Sequence, residues 1–317
     1  MIPQQPKYAF FRGAIVPFAQ ATISVMTHSF NYGTAVFGGL RGYWNDDNEQ
    51  MYVFRPVDHF ERLIQSAGLL RMAVPYTPQE LADTLRDLLQ RENYTQNCYI
   101  RPLVYKSSEM IGVRLHDVDD AVTMFAIPFG RYVSKEEGLH VGFSSWRRVD
   151  DNAIPARGKI AGAYANSALI KSDAVLAGYD EALVLTDAGH LSEASAANVM
   201  IVRRGQLITP PVSADLLEGI TRRTLLQLAQ EELGLDVIER EIDRTEVYVA
   251  DEALMCGTGV QVAAVTRVEH RPIGDGKMGP ITQQLRDLYF DVVSGRKAAY
   301  KHWLMPVYKT TPLHASH

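Results

Sequence analysis

The sequence predicts two domains, a small α+β domain followed by a larger α/β domain, and three observations lead there. At 317 residues the chain is about twice the length of a typical domain of roughly 150 residues. Its first part mixes strand-like segments with two amphipathic helices, whereas its second part alternates helices with short strands punctuated as hairpins. With 46% apolar and 22% charged residues it has the composition of a folded protein, which sets aside disorder and collagen-like repeats. No repeat at a period of roughly 20 to 50 residues suggests a solenoid or propeller.

The small domain is expected over 1–128. Segments 9–11, 51–54, 99–104 and 122–127 read as strands. Phe60, Leu63, Ile64 and Ala67 recur at helical spacing, and a second helix starts after Thr77 with Pro78 at its first position. The pattern lapses in FGRYVSKEEG, so 129–138 is expected to connect the domains. In the large domain, 139–317, a strand over 139–144 precedes a helix over 164–177 that Gly178 would close. Strands are then predicted at 182–186, 191–193, 198–202 and 207–209, separated by the DAGH and RRGQ turns. A helix follows LEGITR, and strands are predicted at 252–256 and 260–265. The tail after Trp303 lacks periodicity and is expected to fray, with His314 and His317 in solvent.

Several function classes are disfavoured. The apolar runs fall short of the roughly 18 residues of a membrane span, and MIPQQPKYAFFRG has no secretory pattern, so a cytoplasmic location is expected. Cys98 and Cys256 are isolated thiols, which makes a disulfide framework or a metal site unexpected. A net charge of −5 with interspersed signs offers no basic tract for nucleic acid or membrane, so the expected ligand is small.

Lys159 lies among Gly158, Ala161, Gly162 and Ala163, so a bulky planar group could approach its amine. A desolvated lysine attacks aldehydes to form a Schiff base, although most lysines are solvated surface residues. Glu193, in LTDAGHLSEASAANV, would suit a protonated heteroaromatic nitrogen if buried; taken alone it reads better as an N-terminal charge on a loop or short helix. Gly219, Ile220 and Thr221 open a helix and could cradle a phosphate, and Gly257, Thr258 and Gly259 offer a second close backbone approach. Arg62 could add a bidentate phosphate contact if it turned inward. Tyr99 and Arg101 share one face of a strand, and a buried arginine needs an anion.

Together, HSFNYGTAVFGGLRGY, HFERLIQSA, YIRPL, SSWRR, the Lys159 segment, LSEASAANV, LEGITRRTLLQLA and MCGTGVQV resemble, in order and spacing, the branched-chain amino acid aminotransferases, pyridoxal phosphate enzymes of fold type IV. The resemblance runs from about residue 10 to 303. It implies a cofactor at the domain interface and an active site completed by a second subunit of a homodimer or higher oligomer. Lys159 would form the internal aldimine and Glu193 would pair with the pyridine nitrogen. Arg62, Ile220, Thr221 and Thr258, with the backbone of Gly219 and Gly257, would hold the phosphate, and Tyr164 would lie near the phenolic oxygen. Tyr99 with the backbone of Thr258 and Gly259 would receive the substrate carboxylate. Phe37 and the partner subunit's Tyr32 would line the side-chain pocket, with Arg41 and Arg101 nearby and Arg101 on the distal carboxylate of glutamate.

The chain departs from the family at Gly38, where glutamate is usual, at Ala161 and Ala163, and at Glu218, where proline is usual. Gly38 is expected to widen the pocket and admit (R)-amines as side substrates. The leading reading is therefore transfer of the amino group of L-leucine, L-isoleucine and L-valine to 2-oxoglutarate. An (R)-selective amine transaminase, a D-amino acid aminotransferase and an aminodeoxychorismate lyase are rivals with the same cofactor. Arg101 in YIRP favours the branched-chain reading over the last two, and a catalytically silent metabolite-binding protein is the rival without a reaction.

Overall fold

The structure, a computed structural model, describes residues 5–130 and 138–308. Most of the expected connection, 131–137, and both tail histidines lie outside the described residues. Two compact units emerge, Met1–Asn31 with Phe37–Gly130 and Asp291–His317, and Tyr32–Val36 with Arg131–Phe290. The expected simple division at 128 to 139 therefore needs correction in two places: a short segment before Phe37 groups with the second unit, and the C-terminal segment groups with the first.

The chain opens with β1 (Tyr8–Phe11), β2 (Ala14–Pro17), α1 (His28–Tyr32), β3 (Ala35–Phe37), β4 (Leu40–Asn45) and β5 (Gln50–Phe54). Then come α2 (Pro56–Leu69), α3 (Pro78–Glu92), β6 (Cys98–Lys106) and β7 (Asp120–Pro128). Arg12 and Gly13, at φ of 50° and 81°, make the two-residue turn that joins β1 to β2. Thr77 caps α3 in a capping box: its hydroxyl accepts from the Glu80 amide, and the Glu80 carboxylate accepts from the Thr77 amide at 2.7 Å. Phe60, Leu63 and Ala67 of α2, and Leu81, Leu85, Leu88 and Leu89 of α3, are buried, as their spacing predicts. Strands β6 and β7 pair antiparallel from Cys98 opposite Pro128 to Lys106 opposite Asp120. Lys106 is buried there, with its ammonium 2.9 Å from Asp120 Oδ1 and donating to the Arg71 carbonyl.

The second unit contains β8 (Leu139–Arg147), α4 (Tyr164–Leu176), β9 (Glu181–Leu185), β10 (Leu191–Ala194), β11 (Asn198–Arg203) and β12 (Gln206–Thr209). These are followed by α5 (Ile220–Leu233), β13 (Val237–Glu239), α6 (Arg244–Tyr248), β14 (Glu252–Gly257), β15 (Gln261–Val268), β16 (Arg271–Pro272) and α7 (Pro280–Val293). The sheet runs β10-β9-β8-β15-β14-β11-β12-β13 and is mixed: β8 is parallel to β9 and β15, whereas β11, β14 and β15 are antiparallel neighbours. In β9, Leu183 and Leu185 join the main core while Ala182 and Val184 pack with Ile170 and Ala174 of α4. Burial on both faces explains why EALVL reads as a nearly continuous apolar run.

The tail does not fray where expected. Leu304–Pro306 forms β17, antiparallel to β5 with Leu304 opposite Phe54, and the amides of Val307 and Tyr308 both donate to Gln50 Oε1. The first sheet thus runs β17-β5-β4-β6-β7-β1-β2.

Candidate active site

In the second unit the lysine loop is tied to the segment that precedes β4. Val36 and Ile160 form an isolated bridge, the Ala161 amide donates to the Ala35 carbonyl at 2.7 Å, and the Gly162 amide donates to the Gly33 carbonyl at 3.1 Å. Gly33 has a φ of 68°, and a Cβ there would stand 2.8 Å from Gly162 Cα, so only glycine permits this approach. Lys159 is thereby fixed by backbone bonds on its C-terminal side. It is half-buried, with its amine 5.3 Å from the centroid of the Tyr164 ring at the start of α4.

Glu193 points inward from β10 and is 3% exposed. Its Oε1 lies 2.8 Å from the Arg148 guanidinium, and its Oε2 accepts from Asn198 Nδ2 at 3.1 Å and from the Leu217 amide. Burial pushes its pKa up, while the positive charges of Arg148 and Lys159 pull it down. Asn198 also donates to the Leu217 carbonyl, and its side chain occupies the place that a Cβ on Gly219 would take. The carboxylate and the start of α5 are therefore locked together through one amide.

Gly219 caps α5 with extended backbone, no side-chain cap and no acidic residue in the first turn, so the helix presents amides and the buried Thr221 to an anion. The neighbouring Arg222 is buried on Glu239 and the Pro210 carbonyl and serves the fold. Glu218 forms an exposed ion pair with Arg157 at 3.0 Å. Gly257 ends β14, and the turn through Thr258 and Gly259 returns at Gln261, whose φ is 61°. Asn198 faces Cys256 across β11 and β14, which puts that turn one residue beyond the Glu193 network.

The first unit assembles a second set. Arg101 lies over the Phe37 ring at 4.5 Å and donates from Nη2 to Tyr99 Oη at 3.1 Å; Tyr99 leans on Phe129 with centroids 5.5 Å apart. Arg41, opposite Tyr99 in the β4–β6 register, is buried, packs on Phe129 and donates to the carbonyls of Phe129 and Gly130. Arg41 is therefore held by backbone oxygens. Arg101 forms no ion pair among the described residues, and its Nε is buried without a hydrogen-bond partner. Arg62 is half-buried on α2, and Tyr32 is half-buried at the end of α1.

Gly38 requires a correction. Its amide donates to the Pro102 carbonyl, and a Cβ on it would stand 2.7 Å from Pro102 Cγ. The direction of the missing side chain is filled by a proline ring, so the glycine does not open the wider pocket expected there, and the argument for (R)-amine side activity loses its basis. Arg148 and Asn198 are absent from the sequence-based site. SSWRR carries Arg148 within a motif but does not show which carboxylate it meets, and the hairpin that brings Asn198 back to Glu193 hides their contact.

A family model, the class IV amino-transferases, matches residues 36–268. The chain belongs to this family. It is 44% identical over 301 residues to a probable branched-chain-amino-acid aminotransferase of Aquifex aeolicus, covering 95% of this chain and 97% of that one. The branched-chain aminotransferase of Thermoproteus uzoniensis, solved with norvaline, superposes with a TM-score of 0.92 at 38% identity, covering 96% of this chain and all of that one. The Thermobaculum terrenum enzyme in its pyridoxal phosphate form gives 0.92 at 39% identity, covering 96% and 99%. The fold is that of fold type IV aminotransferases, the chain falls in their branched-chain family, and the cofactor of this class is pyridoxal 5′-phosphate.

The residues present fit that cofactor. A buried carboxylate paired with an arginine suits a protonated ring nitrogen, the uncapped start of α5 suits a phosphate, and the glycine-cleared loop presents a lysine amine.

Proposed function

We propose that this aminotransferase moves the amino group of L-leucine, L-isoleucine and L-valine to 2-oxoglutarate, with pyridoxal phosphate carried on Lys159. Relatives named for branched-chain amino acids support the donor class. The observation that carries the acceptor is Arg101, a guanidinium laid on Phe37 with a buried, unpartnered Nε and no ion pair among the described residues. An aromatic wall beside an uncompensated cation serves an aliphatic chain and a distal carboxylate in one place.

When bound, the cofactor supplies an electron sink that acidifies the substrate Cα proton. The Lys159 amine would move that proton to and from the substrate Cα. Glu193 would hold the proton on the ring nitrogen, with Arg148 and Asn198 keeping the carboxylate aimed and charged. Arg62, Thr221, Thr258 and the backbone of Gly219, Ile220 and Gly257 would hold the phosphate, and Tyr164 would lie beside the ring oxygen. Tyr99 and the backbone of Thr258 and Gly259 would receive the substrate carboxylate, and Phe37 and the partner subunit's Tyr32 would line the aliphatic pocket.

Self-association belongs to this reading. Ile23, Val25, Met26, Phe30, Ile111 and Val113 are large apolar residues left exposed, and Thr27 bridges Glu109 so that their two segments run side by side. A homodimer would cover this face. No helix of the described residues is long and apolar enough to cross a membrane, and a cytoplasmic location is the one we propose.

The test is a donor panel with 2-oxoglutarate as acceptor. L-Leucine, L-isoleucine and L-valine should yield glutamate, and D-alanine and (R)-1-phenylethylamine should not; the opposite order would transfer the reading to one of the other pyridoxal phosphate transaminases.

A further inference from the structure

Gly39 is shaped by Tyr99. A Cβ on Gly39 would collide with Tyr99 Oη and stand 3.2 Å from Tyr99 Cζ and 3.4 Å from Cε2. Gly39 is not among the residues with positive φ, so its backbone would accept another residue, and the phenol is what excludes one. That phenol is itself constrained: its ring leans on Phe129, and its oxygen accepts from Arg101 Nη2 at 3.1 Å. Arg101 in turn lies on Phe37 at 4.5 Å and has no other hydrogen-bonded side chain among the described residues. The phenol oxygen is thus the polar contact that orients the guanidinium.

We infer that Gly39 is a positioning residue for acceptor choice: by leaving the place of its Cβ to the Tyr99 hydroxyl, it keeps that hydroxyl against Arg101 and holds the guanidinium ready for a distal carboxylate. The inference rests on the acceptor role proposed for Arg101. A side chain at position 39 pushes the phenol away, the bond to Arg101 breaks, and the guanidinium loses its orientation over Phe37. Every oxo acid loses part of its carboxylate contact with the displaced phenol, but a dicarboxylate loses the oriented cation as well and is penalised more than an acceptor whose side chain meets only the apolar wall.

The test compares four pyridoxal phosphate-loaded proteins: wild type, Gly39→Ala, Tyr99→Phe and the double variant. With Tyr99 in place, Gly39→Ala should raise KM for 2-oxoglutarate about tenfold and KM for 4-methyl-2-oxopentanoate less than about threefold, as expected when a charged contact is disturbed. In the Tyr99→Phe background, where no hydroxyl opposes the Cβ, the same substitution should change KM for 2-oxoglutarate by less than about twofold. Thermal unfolding is read alongside. A Gly39→Ala protein that fails to fold should be restored by Tyr99→Phe, and failure in both backgrounds overturns the inference. Equal damage to both acceptors, or an equal effect of Gly39→Ala in both backgrounds, also overturns it while leaving the transaminase reading intact. A wild type that accepts only monocarboxylate oxo acids removes the acceptor role of Arg101 and this inference with it.

Discussion

Glu193 is pulled in opposite directions by its surroundings, since burial favours its neutral form and Arg148 and Lys159 favour its charge. Arg148→Met removes the nearer cation, so the pKa of Glu193 should rise further. The fall in leucine half-reaction rate on acidification should then begin at higher pH in the variant than in wild type. Breaking a buried pair costs about 3–5 kcal/mol, so the melting temperature should also drop, and Arg148→Lys should recover part of both effects. A pH profile identical to wild type would mean that Arg148 only fills space. Glu193→Gln should bind cofactor yet transaminate slowly, and unchanged half-reaction rates would refute its role at the ring nitrogen. Lys159 and Glu193 stand out in the sequence as candidates because small neighbours and ordered motifs surround them. Arg148, Asn198 and Gly39 do not, because each matters through a contact made across the fold with a residue that no local pattern pairs it with.

Helix α5 shows the same contrast at the scale of an element. Its start at Gly219 is readable from LEGITR and the apolar spacing after it, but the reason for the glycine is tertiary: Asn198 fills the place of a Cβ. Gly219→Ala should cost about 1–3 kcal/mol, as overpacking does, and should weaken cofactor binding through the shifted helix start; the measurements are urea unfolding and spectroscopic titration with pyridoxal phosphate. Helix α6 gives a pH-dependent case. Glu246 accepts from Arg240 and Arg203 at 2.6–2.8 Å, and these bonds lower its pKa from the ordinary 4.5 to about 2. A lowered carboxylate pKa adds stability above 4.5 that is lost as the pH falls toward 2. The stability lead of wild type over Glu246→Gln should therefore be full near neutral pH and shrink across that acid range, and urea midpoints at several pH values check it. Helix α7 is not legible in the sequence even though Leu285, Tyr289 and Val292 are buried at helical spacing, because the Gly- and Pro-rich approach masks its start. Strand β17 has three residues, too few to show alternation, and exists because β5 offers it an edge.

For the whole molecule, composition and motif order carry the two-unit architecture and the family, whereas the assignment of 32–36 and 291–308 to units follows from pairing that sequence patterns do not encode. The exposed apolar face around Phe30 predicts an assembly: light scattering should give a multiple of the 35.4 kDa chain, and Phe30→Asp should lower it toward the single chain. An unchanged mass in the variant would place the contact elsewhere. Lys159 is expected to carry the cofactor through a full branched-chain transamination cycle. This role is tested by following the visible absorption of the pyridoxal phosphate-loaded protein while L-leucine and then 2-oxoglutarate are added. Leucine should bleach the band, 2-oxoglutarate should restore it, and Lys159→Ala should show neither the wild-type band nor the cycle; a band that ignores L-leucine, or a Lys159→Ala protein that cycles normally, would rule out this role for Lys159.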